Sequence, residues 1–496
     1  MEKSIWQKDN NIKDFKQIND NINTDVLIIG AGITGISLAY NLINSTFDVT
    51  LIDSIKPLNG VTVKSTGKIT YLQDLKYQDI YNSSGYNNAK LYYESQKEAM
   101  KIIIKNIKDN GIECNLVKNE GITYTTKEKE LKKFKKEEKL LKSFGVKYSN
   151  YSNIIDGNDV KKLISIKDSY IFNPTKYLKG LLKNIIKSKN IKIYQNSIAQ
   201  KIKKENNGYI VLVNGYEVKA KQVVLACHFP FFTIPGLLPL KTYFEKSYIT
   251  ATKVDKVKNV NLITSSYPTY SFRYYDNNSE KYFIYLSNSS KISDKLNYKK
   301  NYDSTVNEVK NITCKTPSYK WTNIDVMTND YLPIIGSVDE DNKNVYIATG
   351  YNTWGMTNGV IAAKVIFDLI NNKKNKYIDL FSPTRIINLK NLKNFITKTA
   401  LENTKAYVLN VLKKNPSWYK NKALVTKIND KRVGIYYDEE GNKHIVSNMC
   451  PHLKCFLTFN EVDKTWDCPC HSSRFDIDGN VIKGPACYNI KIDESK

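Results

Sequence analysis

Arginine is almost absent from this chain. Of its 75 basic residues only Arg273, Arg385, Arg432 and Arg474 are arginines, and the rest are lysines. The formal charge of +26 therefore comes without the bidentate donors that nucleic-acid binding usually recruits. The lysines also alternate with glutamate, as in "TKEKELKKFKKEEKLLKSF", where Leu131, Phe134, Leu140, Leu141 and Phe144 fall on one helical face. Such charge is a solvated surface, and a nucleic-acid partner is not expected. Cysteine is scarce, 8 in 496 residues, which excludes a disulfide-built secreted scaffold. No secretory leader pattern is present, and the one long apolar run, "VLIIGAGITGISLAYNLI", is broken by three glycines and preceded by Asp25. A membrane span is not expected, and the reading is a soluble, cytoplasmic protein. Histidine is rarer still, with 4 in all: His228, His444, His452 and His471.

Hydrophobic content of 41% over 496 residues is enough for two or three domains with real cores. Residues 25–53 read strand, glycine turn, helix, strand. Helical spacing recurs around Ala99–Ile107 with a stop at Gly111, and a hairpin is predicted about Asn214-Gly215. Strand-like runs fill 240–320, a buried strand and a helix return at 345–370, and 386–404 reads as a connector. Short strands with turns at Asn429-Asp430, Glu440-Gly441 and Asp478-Gly479 then predict a small all-β module.

Gly30, Gly32 and Gly35 form G-x-G-x-x-G directly after a strand and opening a helix. The first glycine permits the tight turn, the second admits a pyrophosphate, and the third lets helix and strand pack closely, with the helix N-terminus facing the phosphates. Asp53 closes the next strand about 20 residues on, where an acid binds a ribose diol. With "GVTVKSTGKIT", "FNPTKYLKGLL", "VVLACHFPFF" and "DYLPIIG…VYIATGYNTWGMTNG", the stretch 25–385 resembles the D-amino-acid-oxidase / glycine-oxidase family of FAD-dependent oxidoreductases.

That resemblance implies an α/β, Rossmann-like FAD-binding domain (about 25–80, 150–230 and 325–385). Inserted in it would be an α+β substrate domain with an antiparallel sheet (about 81–149 and 231–324). It carries flavin contact onto Thr62, Ser65, Thr66 and Lys68, and onto Gly350, Trp354, Gly355, Met356 and Thr357. Cys314 lies too far from Pro333 for the covalent attachment some relatives use, so FAD is expected to be non-covalent. Hydride removal from a carbon bearing an amine is the implied chemistry. A cation for a substrate carboxylate is then expected, and Arg273 is nominated as the only arginine in the substrate sheet. Cys227 and His228 are expected to be ordinary core residues.

"CPHLKC" and "CPCHSSRFD" place Cys450, His452 and Cys455, then twelve residues, then Cys468, Cys470 and His471. Zinc takes four Cys/His ligands and would leave two of the six unused. A redox dithiol wants C-x-x-C beside a βαβ unit, which is missing here. A third option is a 2Fe–2S cluster with two histidines on one iron. The order of residues, continuing to Gly484-Pro485, resembles a Rieske domain over 405–496. The resemblance implies Cys450, His452, Cys468 and His471 as iron ligands and a Cys455–Cys470 disulfide pinning the two loops. Ser473 would be a donor beside the cluster, and Phe475 stands where high-potential relatives carry Tyr. The usual glycines are replaced by Lys454 and Ser472. A Rieske oxygenase would need a second iron site with two more histidines, but His228 and His444 fall in different domains.

The two halves together imply an oxidoreductase that acts on an amine or amino acid. It would pass electrons one at a time from FAD to the fused cluster and on to an external acceptor. The alternative is a non-catalytic electron carrier or redox sensor in which the flavin domain is a scaffold.

Overall fold

A computed structural model of the protein describes residues 3–152, 160–232, 238–265, 269–292, 298–385 and 423–492. The connector expected at 386–404, and the first residues expected of the carboxy-terminal module, lie outside the described residues.

The first sheet is built on four parallel pairings, one of them between Val345–Thr349 and Tyr216–Leu225. Ile22–Ile29 lies between Val49–Ile52 and Tyr216–Leu225, and Val49–Ile52 pairs in turn with Ile191–Tyr194. Val49–Ile52 and the second half of Ile22–Ile29 are continuously buried runs, as the middle of a sheet covered on both faces requires. Helices Ile33–Asn41 and Gly355–Ile370 pack against each other on one face, and all of Ile36, Leu38, Val360, Ile361 and Ile366 are buried in the largest core cluster. The hairpin at Asn214-Gly215 forms as predicted, with both residues at positive φ (53° and 89°).

The second sheet holds eight strands in the spatial order Tyr319–Thr328, Thr242–Lys253, Lys281–Lys291, Ser271–Asp276, Val260–Thr264, Val117–Thr125, Lys162–Ile171, Lys68–Ile69. It is antiparallel except where Val260–Thr264 runs parallel to Val117–Thr125. Two of its strands, Lys68–Ile69 and Lys162–Ile171, and the last four residues of Tyr319–Thr328 come from stretches the sequence reading assigned to the FAD-binding part. The chain thus crosses between the two layers more often than a simple insertion would. The long helix Tyr86–Asp109 instead packs on Gly355–Ile370, among the helices of the first layer. Backbone pairing partners far apart in sequence decide this assignment, and local periodicity carries no record of them.

The carboxy-terminal module has a three-stranded sheet (Ala423–Ile428, Lys431–Tyr437, Lys443–Ser447) and a four-stranded one (Thr458–Asn460, Thr465–Asp467, Arg474–Phe475, Val481–Lys483). Its own small core contains Tyr436, Val446, Leu457, Trp466 and Phe475. Among the described residues no helix is long and apolar enough to cross a membrane.

Candidate functional site

The glycine turn is shaped by close approach. Gly30 has φ +110°, and a Cβ there would lie 2.5 Å from the Ala226 carbonyl; a Cβ on Gly35 would lie 1.9 Å from the Gly30 carbonyl. Helix Ile33–Asn41 starts at Gly32 with no side chain of its own capping it. Its first N–H, from Ile33, goes to the Thr62 hydroxyl (3.0 Å). Asp53 follows its strand directly, with its carboxylate accepting from the Ala31 N–H (2.7 Å) and the Ile55 N–H (3.1 Å). Burial pushes the Asp53 carboxyl up to about 6. A helix N-terminus, a backbone bare of Cβ atoms and an acid at the next strand end together fit a dinucleotide.

The second arm of the cradle is the turn before Gly355–Ile370. Gly350 and Thr353 sit at φ +71° and +69°, Trp354 is the N-cap residue, Gly355 opens the helix, and Met356 and Thr357 are buried. The Thr357 hydroxyl accepts from Gln73 (3.2 Å), and the neighbouring Tyr351 hydroxyl meets Thr34 of the first helix at 2.6 Å. Thr66 lies half-buried in the 62–68 loop, and Ser65 receives the Gly67 N–H on its hydroxyl. Lys68 departs from expectation, because its ammonium is held by the Leu262 carbonyl (2.7 Å) and the Ser271 hydroxyl (2.6 Å) inside the second sheet. The amino-terminal segment, which the sequence reading left aside, buttresses this loop. Trp6 is fully buried and donates its indole N–H to the Ser65 carbonyl (2.8 Å).

Arg273, nominated for a substrate carboxylate, is largely taken up by backbone carbonyls. It is fully buried, and its guanidinium donates to the carbonyls of Gly67, Phe172 (3.0 Å) and Tyr274 (3.2 Å), between the rings of Trp6 and Tyr275. Through Nε and Nη1 it fastens the 62–68 loop to the sheet, and its Nη2 is buried with no partner in the protein. Arg273→Met would leave these carbonyls without donors in a dry site, at about 1–3 kcal/mol for each unsatisfied group. A lower Tm and a reduced flavin-to-protein ratio are the expected results. An unchanged Tm with a raised KM would return Arg273 to the substrate site.

In the carboxy-terminal module two loops converge. Cys450 and Cys468 are each 1% exposed and hydrogen-bonded to each other. The Cys450 thiol is lowered to about 7, first by that bond. The N–H groups of His452 and Leu453 and the Ser473 hydroxyl assist, against burial. The rings of His452 and His471 are 5.0 Å apart, and Nδ1 of each is buried with no partner in the protein. Burial holds them neutral, with pKa values lowered to about 4 and about 3. Two sulfurs hydrogen-bonded to each other and two neutral imidazoles, each with a buried Nδ1 that has no partner in the protein, are the donor types of a histidine-ligated 2Fe–2S cluster, and these residues fit it.

Cys455 and Cys470 are joined in a disulfide. A set of three sulfurs, Cys455, Cys468 and Cys470, lies within 4.8 Å, but two of them are spent in that bond and offer no metal ligand. Lys454 and Ser472 adopt the left-handed backbone (φ +60° and +63°) that glycine would take at no cost. Ser473 also accepts the Ala486 N–H (3.0 Å), tying in the third loop with its cis Gly484-Pro485 bond. The disulfide spans 15 residues, so removing it as Cys455→Ser/Cys470→Ser should cost the module about 3 kcal/mol in the chain-entropy account. A two-step thermal melt with only the module's step lowered would record this.

The module docks on the flavin-binding half by these same loops. Phe229, just past the end of strand Tyr216–Leu225, stacks on His471 (centroids 5.1 Å, 23° between planes) and meets His452 edge-on at 6.3 Å. Phe244 meets His471 edge-on at 5.8 Å. The other ring nitrogen of His452 donates to the Pro230 carbonyl. Around this centre Lys246 lies 3.9 Å from Asp467, which Arg474 also holds (2.9 Å) together with Asp463 (2.7 Å). Val462 packs on Tyr248, Tyr298 and Tyr302, and the Cys487 thiol donates to the Ala199 carbonyl (3.1 Å). Sequence reasoning quoted "CHFPFF" without seeing this role, for which only the aromatic density was a signal.

Residues 25–369 match the family described as DAO, FAD dependent oxidoreductase, and residues 409–492 match the Rieske [2Fe-2S] domain. The chain belongs to the DAO family of FAD-dependent oxidoreductases, with a Rieske domain at its carboxy-terminal end. YhfW of Bacillus subtilis (strain 168), described as a Rieske 2Fe-2S iron-sulfur protein, is 30% identical over 98% of this chain and 97% of its own length. Glycine oxidase from Geobacillus kaustophilus superposes with a TM-score of 0.61 at 15% identity, over 74% of this chain and 100% of that one. L-proline dehydrogenase from P. horikoshii superposes with 0.59 at 16%, over 74% and 98%. This oxidoreductase therefore carries FAD in the first layer and a 2Fe–2S cluster in the Rieske domain.

Proposed function

We propose that this oxidoreductase oxidises an amine or amino acid and delivers the electrons, one at a time, through its own Rieske cluster to an external acceptor. FAD supplies two-electron hydride acceptance and the cluster supplies one-electron carriage. The observation that carries the reading is the seating of both histidine rings on Phe229, with the outer nitrogen of His452 on the Pro230 carbonyl. The face of the cluster site formed by His452 and His471 is thereby turned inward, onto the half of the protein that binds the flavin.

The chain's own groups have three tasks in this account. The loops at 62–68 and 350–357 orient the flavin and exclude water from it. Phe229, Pro230 and Phe244 hold the Rieske loops in a fixed position, and covalent fusion keeps their local concentration high. Burial opposes charge on His452 and His471, so both rings stay neutral and able to act as ligands.

The test is an anaerobic titration of the holoprotein with amino acids and simple amines, followed by absorbance and EPR. Bleaching of the flavin band, with a reduced Rieske signal growing in before any acceptor is added, is the expected result. If dithionite bleaches the flavin and no amine or amino acid does, the carrier or sensor reading replaces this one.

A further inference from the structure

Lys246 stands in the middle of strand Thr242–Lys253, opposite Ile324 of the neighbouring strand Tyr319–Thr328. Phe244 and Tyr248 lie two residues away on either side and share its face. All three are buried, and Lys246 is only 1% exposed. From this apolar setting the ammonium crosses the domain boundary. It lies 3.9 Å from the Asp467 carboxylate of the Rieske domain and 4.0 Å from the centre of the Tyr298 ring. It has no hydrogen-bond partner among the described residues. Desolvation lowers Lys246 to about 8, so it is still mostly cationic at neutral pH.

Asp467 does not need this lysine. Its Oδ1 already accepts from the Arg474 guanidinium (2.9 Å) and the Thr465 hydroxyl (2.7 Å), and its Oδ2 from the Asn460 amide (3.1 Å). Arg474 reaches on to Asp463 (2.7 Å), so the Rieske domain closes this network with its own residues. An ammonium added beside it without a hydrogen bond loses hydration and regains little, so stability alone does not account for Lys246. Its position relative to the cluster loops does. Asp467 immediately precedes Cys468, and Phe244, on the same strand face as Lys246, meets the His471 ring edge-on at 5.8 Å. Docking thus brings one buried positive charge of the flavin-binding half up to the loop that carries Cys468 and His471.

We infer that Lys246 makes docking of the Rieske domain redox-linked: its charge holds the reduced cluster site to the flavin-binding half more tightly than the oxidised one. Reduction adds one electron from the flavin, and so one negative charge, to the cluster site, and it neither makes nor breaks a bond. A fixed cation beside that site favours the reduced form, by an attraction that the protein interior screens poorly. Linkage is reciprocal, so whatever tightens docking on reduction also makes the docked domain easier to reduce than the undocked one. This goes beyond the reading above and holds whatever the substrate, because it concerns only the meeting of the two halves. Lys246 is in this account a positioning residue, acting through Asp467 and the loop behind it.

Two measurements on the full-length holoprotein test this: an EPR-monitored redox titration, and thermal melts of the oxidised and the dithionite-reduced protein. Lys246→Met is expected to shift the Rieske midpoint to lower potential, making cluster reduction about 3- to 10-fold less favourable. Lys246→Arg should restore the parent midpoint. The melting step of the Rieske domain should rise on reduction more in the parent protein than in Lys246→Met. A merely structural lysine would instead lower both melts together and leave the midpoint where it was. Lys246→Gln is read in the same way if Lys246→Met loads no cluster. A midpoint unchanged by the substitution, an equal drop in Lys246→Arg, or the same response of the melt to reduction in parent and variant would each overturn the inference.

Discussion

Replacing Cys468 by alanine is expected to give a protein that keeps its flavin absorbance and lacks the reduced Rieske EPR signal. Cys468 is 1% exposed; its bond to Cys450 and burial push its thiol well up, and the N–H groups of His471 and Cys470 oppose them. The neighbouring Cys455 and Cys470 cannot take its place, because they are committed to the disulfide. The remaining donors, Cys450, His452 and His471, would number three where the site needs four. Loss of metal from a small domain is loss of folding energy, so a low-temperature step should appear in the melt. The flavin should still bleach with the substrate of the parent protein, but electrons should no longer reach an external one-electron acceptor. Retention of a Rieske spectrum by Cys468→Ala would refute the ligand set.

Gly35→Ala should empty the other site. The added methyl would lie 1.9 Å from the Gly30 carbonyl, 3.1 Å from its carbon and 3.3 Å from Ile28 Cγ2. A backbone carbonyl cannot swing aside as a side chain can, so the first helix must lift from the strand that carries the turn. That movement displaces the Ile33 N–H from Thr62 and draws the helix away from Tyr351. Overpacking of this kind costs about 1–3 kcal/mol, and more where only backbone can move. The expected product is soluble protein with little bound flavin, an intact Rieske signal and a lowered Tm. A full complement of FAD in Gly35→Ala would mean that the turn is not the pyrophosphate cradle.

The two cofactors were legible in the sequence because each depends on spacing within a short segment. The glycines lie within six residues and the cysteine–histidine boxes within two loops, so backbone geometry is nearly implied by residue order. Even the unusual Lys454 and Ser472 take the left-handed conformation that their positions demand. The helix at 131–143 and the hairpin at 214–215 were legible for the same local reason.

Arg273 shows where that reasoning stops. Sequence marked it as the one arginine of its sheet, and chemistry suggested a carboxylate, but the carbonyls of Gly67 and Phe172 and the ring of Trp6 claim it. None of these partners is near it in the chain. The ammonium of Lys68 is likewise held by distant partners, the Leu262 carbonyl and the Ser271 hydroxyl.

By itself, then, the sequence determined that the protein holds FAD and a Rieske cluster, through motifs whose geometry is local. Only the tertiary structure decided how the two halves meet: Phe229 under the cluster histidines and Lys246 beside Asp467. Those contacts join residues hundreds of positions apart, and the hydrophobic and electrostatic forces that select them act on surfaces which exist only once each half has folded.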